Sequence, residues 1–203
     1  MRRTRAALVE RGYGHRDATL ILICVEGPAD EGAYFKQLSA LPGLLNPRIR
    51  VLVESPLNDK SAPRHVLDRA IDVVESVEKR GIDEVWLVND RDRWKDQLQE
   101  VAAAAHNRGW KVAASTPCFQ VWLLLHLVAT PPSGTCKALK VEWGAASHAR
   151  ASSAFVLTAA DVQRACAHAD AWEAQHPSNG FLPHDPGTHV HHLVRRLLPN
   201  QST

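Results

Sequence analysis

Four short stretches, TLILICVE (19–26), RIRVLVES (48–55), DEVWLVND (83–90) and WKVAAS (110–115), are apolar in their centres and rich in β-branched residues. Runs with little polar alternation fit strands covered on both faces. The stretches between them have helical spacing. Pro28 opens one helix, running through about Leu41, at a position where its missing N–H costs nothing. Ser61 and Pro63 introduce a second, with Val66, Ala70, Val74 and Val77 along one stripe and Gly81 closing it. Trp94, Leu98, Val101, Ala102 and Ala105 mark a third, which stops near Gly109. Strand and helix alternate four times, which predicts an α/β fold: a parallel four-stranded sheet flanked by helices.

Beyond Pro117 the pattern changes. FQVWLLLHLV (119–128) is apolar nearly all round and is read as a buried helix, although periodicity does not separate it from a strand. ATPPSGT (129–135) is a loop or linker. Thr158 and Asp161 form a capping-box start to a helix through about Trp172. After a loop at 175–187, residues 188–198 form an amphipathic helix with Val190, Leu193, Val194 and Leu197 inward. The expected organisation is a basic arm (1–17), an α/β domain (18–128) and a helical C-terminal extension packed on it (129–203).

Composition excludes several classes. With 45% apolar and 23% charged residues the 203-residue chain is not a disordered one. No apolar run approaches the ~20 residues that cross a bilayer, and no apolar segment follows the basic start as in a signal peptide. A cytoplasmic protein with no membrane partner is expected. Cys24, Cys118, Cys136 and Cys166 are dispersed without a CxxC pair, which excludes zinc ribbons and fits reduced thiols. A net charge of +2 does not by itself predict a nucleic-acid binder. The arm carries Arg2, Arg3, Arg5, Arg11 and Arg16 against Glu10, with solvation as the default reading.

The chemistry concentrates where the first and third strands end. In parallel α/β sheets, ligands bind at the C-terminal edge where strand order reverses. Strand 1 ends in Glu26-Gly27, and strand 3 in Asn89-Asp90-Arg91-Asp92. If these strands are neighbours, in the order 2-1-3-4 that this meeting requires, three carboxylates converge. Hard oxygen donors at that density suit Mg²⁺ or Mn²⁺. Gly27 leaves room for close approach of a phosphate or backbone. The competing reading is helix capping, for Asp92 and equally for Asp30 and Glu31 at the start of the first helix.

The segments ICVEGPADEGAYF (23–35), DEVWLVNDRDRW (83–94), STPCFQVWLLLHL (115–127) and GTHVHHLVRRL (187–197) carry a resemblance. Residues 19–115 resemble a Toprim domain, and the whole chain resembles the RloB-like family of small bacterial Toprim proteins linked to restriction loci and phage defence. The resemblance implies a Mg²⁺-dependent nuclease acting on DNA or RNA, with Glu26 as general acid or base and metal ligand. Asp90 and Asp92 match the metal-binding aspartates. Gln120 stands where that family usually has a glutamate, and an amide neither acts as a base nor neutralises a cation. The alternative is therefore a catalytically weak or inactive binding or sensor module acting through a partner protein.

Glu31, Gln120, Lys60 and Arg64 are accessory candidates, the two cations as phosphate neutralisers on the same edge. His184, His189, His191 and His192 lack a nearby cysteine or carboxylate pattern and are read as surface residues. Cys118 is read as a packed thiol. Trp86, Trp94, Trp110 and Trp122 are read as core, with Trp94 near enough to the acids to stack a base.

Overall fold

The computed structural model describes residues 18–56, 62–76, 81–91, 94–150, 157–178 and 180–199. The four apolar runs form parallel strands β1 (Thr19–Val25), β2 (Ile49–Glu54), β3 (Glu84–Asp90) and β4 (Lys111–Thr116). Their order is β2-β1-β3-β4, as the meeting of the acids requires. A fifth strand, β5 (Gly187–Thr188), adds antiparallel to β4 and makes the sheet five-stranded rather than four-stranded. A two-residue strand inside a loop-like segment carries no periodicity by which a sequence could reveal it.

Helices α1 (Glu31–Ala40), α2 (Pro63–Ser76) and α3 (Lys95–His106) fill the connections. Helix α1 starts three residues later than Pro28, which lies in the preceding turn. Trp94 occupies the N-cap of α3 and is half-buried. Alternation along β1 and β3 splits the core. Ile21, Ile23, Val25, Trp86 and Val88 face one side, and Leu22, Cys24, Val85 and Leu87 pack against α2 and α3 on the other.

The run at 119–128 is helical, but only as the short, wholly buried α4 (Gln120–Leu124) followed by a turn. Three more helices follow: α5 (Cys136–Arg150), α6 (Ala159–Gln175) and α7 (Val190–Leu197). Thr158 and Asp161 make the full capping box at the start of α6. Val190, Leu193, Val194 and Leu197 are buried with the β1 and β3 side chains, along with Phe35, Phe119 and Val162. Arg196 at the end of α7 donates to Glu84 at the start of β3 (2.7 Å), and Arg195 pairs with Asp170 of α6. Among the described residues no helix is long and apolar enough to cross a membrane.

Candidate metal centre

The chain leaves β1 toward β2 on one side and returns past β1 to β3 on the other, so the β1–β3 seam is the point where strand order reverses. Val25 pairs with Val88 in register, which sets Glu26 beside the end of β3. The Asp90 backbone N–H donates to Glu26 Oε2 at 3.0 Å. Asp90 continues the alternation of Trp86 and Val88, so its carboxylate projects toward the α1 and α4 side, where Oδ1 accepts the Phe119 N–H at 2.8 Å. Glu26 thus sits against the Asp90 backbone, near enough for the two charges to act on one another. Asp92 lies outside the described residues.

Two further acids enter from the start of α1. Asp30 takes the N-cap position but makes no capping hydrogen bond through its side chain. Its Oδ2 instead accepts Gln120 Nε2 at 2.8 Å and lies 3.8 Å from Lys140 Nζ. Glu31 is buried, at 5% exposure, despite its charge. A Cβ at position 27 would stand 3.0 Å from Glu31 Oε2, so the space that Gly27 leaves is taken by that carboxylate rather than left for a ligand.

Crowding shows in the proton affinities. Burial, and then the charges of Glu26 and Asp30, push Glu31 up to about 7. Burial, Glu31 and Glu26 push Asp90 well above the usual aspartate range. Two like charges 4 Å apart repel by about 4 kcal/mol at an effective dielectric of 20, so such a group of acids calls for a counter-charge. Lys140 supplies one, and its own proton is held more tightly by Asp30 and Asp90.

Gln120 is buried at 1% exposure. A carboxylate only accepts hydrogen bonds, so the contact with Asp30 fixes which end of the amide is Nε2. Its Oε1 is then left buried with no hydrogen-bond partner. Carboxylate and amide oxygens are hard donors of the kind that Mg²⁺ or Mn²⁺ takes.

Of the accessory candidates, Glu31 and Gln120 join the acids. Arg64 is exposed in the first turn of α2, with its backbone N–H on Gln97, and Lys60 lies outside the described residues. The cation of α2 that reaches the strand ends is Arg69, whose guanidinium donates to Val25 O at 2.7 Å. Arg91, next to Asp90, pairs with Asp185 at 2.8 Å. Cys118 is fully buried and burial pushes its thiol pKa up, as befits a packed side chain. Sequence reasoning missed Lys140 and Arg69, which reach the site only through tertiary packing.

A family model described as RloB-like protein matches residues 21–197, from within β1 to the last residue of α7. The chain belongs to the RloB-like family. No significant match to this RloB-like chain is found among curated proteins or solved structures. Glu26, just after β1, Asp30 and Glu31 at the start of α1, and Asp90 at the end of β3 all lie inside the span matched in this RloB-like chain.

Proposed function

We propose that this RloB-like protein is a Mg²⁺- or Mn²⁺-dependent nuclease of Toprim type, hydrolysing phosphodiester bonds in DNA or RNA within an anti-phage system. The contact of Glu26 with Asp90 across the β1–β3 seam carries the reading, since it sets two acids from separate strands at the edge where α/β sheets bind ligands. Glu26, Asp90 and Asp92 are assigned as metal ligands, with Glu31 closing the cage. A bound divalent cation would offset the charge of the scissile phosphate. Glu26, oriented by the Asp90 amide, handles the proton of the attacking or leaving oxygen. Lys140, half in solvent beside Asp30, meets the charge of the nucleic-acid backbone.

One observation favours a second reading, a binding or sensor module that acts through a partner protein. Gln120 is engaged with Asp30 as a neutral donor where a further acid would strengthen the cage. Cleavage of DNA and RNA by wild type, Glu26→Ala and Asp90→Asn, with Mg²⁺, Mn²⁺ or chelator, separates the two. Metal-dependent cleavage lost in both variants supports the nuclease. Equal cleavage by wild type and Glu26→Ala overturns it, and metal binding without cleavage moves the assignment to the sensor.

A further inference from the structure

The tail histidines are not surface residues as a group. His189 and His191 are buried, at 8% and 0% exposure, while His192 is exposed. The carboxylate that the sequence around them lacks comes from α6. His191 Nε2 lies 3.0 Å from Glu173 Oε2, His192 Nε2 lies 3.0 Å from the same oxygen, and His189 Nε2 lies 3.5 Å from Glu173 Oε1. Three imidazole nitrogens from one short segment therefore converge on one carboxylate of another helix.

His189 Nε2 is buried and makes no hydrogen bond, and at 3.5 Å from Glu173 Oε1 it lines the cluster without joining it.

The spacing agrees. Ligands at 2.0–2.1 Å from a tetrahedral zinc ion stand about 3.3 Å from one another. Nε2 of His191 and Nε2 of His192 each stand 3.0 Å from Glu173 Oε2, and the cluster's ligand atoms all lie within 4.8 Å of one another. Imidazole nitrogen with one carboxylate is the donor set of a borderline ion such as Zn²⁺, in contrast to the all-oxygen set at the β1–β3 seam.

We propose that Glu173, His191 and His192 bind a zinc ion that staples α7 to α6, with water as the fourth ligand. His191 stands three residues beyond the end of β5, so the staple also secures the strand that closes the β4 edge.

The test uses full-length protein without a histidine tag, stripped by chelator and titrated with Co²⁺ and then Zn²⁺. An Asp90→Asn background weakens the acidic centre, and the tetrahedral cobalt bands distinguish the histidine cluster from what is left of it. One equivalent of Co²⁺ with strong visible bands of tetrahedral type and no thiolate charge-transfer band is expected, together with a rise in Tm on adding Zn²⁺. His192→Ala, exposed and so tolerated by the fold, and Glu173→Gln are each expected to weaken binding by roughly 10- to 100-fold or more and to abolish the Tm rise. Absence of the cobalt bands, or binding unchanged in both variants, overturns the site.

Discussion

Glu26 and Asp90, 64 residues apart, are joined by a 3.0 Å hydrogen bond from the Asp90 backbone N–H to the Glu26 carboxylate. The bond fixes the orientation of one acid by the backbone of the next, so both are held in place before any ligand arrives. The cost is electrostatic, because Asp90 carries its own carboxylate into the same space as Glu26 and Glu31.

Relief of that repulsion is measurable. Asp90→Asn keeps an oxygen to accept the Phe119 N–H while removing a charge. In chelator, its urea unfolding free energy is expected to exceed that of wild type by roughly 1–2 kcal/mol, the scale of one pKa unit of relieved interaction. The variant is expected to lose the stabilisation that Mg²⁺ gives wild type. A metal-free variant less stable than wild type would contradict the crowding.

Gly27→Ala tests the fit between β1 and Glu31. The added methyl would lie 3.0 Å from Glu31 Oε2, at the end of a side chain that can move. Stability is expected to change by less than about 1 kcal/mol, while the displaced carboxylate weakens Mg²⁺ binding in calorimetric titration. Unchanged affinity would remove Glu31 from the cage.

Gln120→Glu replaces the donor to Asp30 with another acid. The lost hydrogen bond and added charge are expected to cost about 1–3 kcal/mol in the metal-free protein. Mg²⁺ should recover more of the loss than it adds to wild type. Thermal melts with and without Mg²⁺ check both signs.

His126 supplies a pH signature apart from the acids. It is fully buried, with Nε2 at 3.2 Å from the Tyr34 hydroxyl, and burial pulls it down from 6.5 to about 4. The unfolded chain then binds the extra proton between those values, so stability rises with pH across that window and is lost as pH falls through it. Measured against His126→Gln, wild type is expected to lose about 3 kcal/mol between pH 7 and pH 4. Parallel stability curves for the two proteins would sink this assignment.

The sheet was legible because β1 and β3 are buried nearly end to end, so burial is written into consecutive apolar residues. The same logic placed Glu26 and Asp90 at strand ends. Helix α5 was not foreseen. Its segment CKALKVEWGAASHAR buries Leu139 firmly but leaves Val141 at 68% exposure, so no apolar stripe marks it. Lys140 rides on that helix and was missed with it. Glu173 escaped notice for a related reason: it stands 16 residues before His189, and only the packing of α7 on α6 brings them together. Local pattern finds what one element does alone, whereas a site assembled by two elements leaves no spacing to read.

The short strand β5 has a consequence for how the molecule is made. Ser115 and Thr188 share a 2.8 Å hydroxyl contact across 73 residues of chain, so the outer border of β4 has no strand beside it when it first leaves the ribosome. A bare border of this kind is an invitation to pair with a stranger. Ribosomes translating the same message close together would hold several such nascent chains at once, and the interval before residue 187 emerges is when they are most prone to tangle.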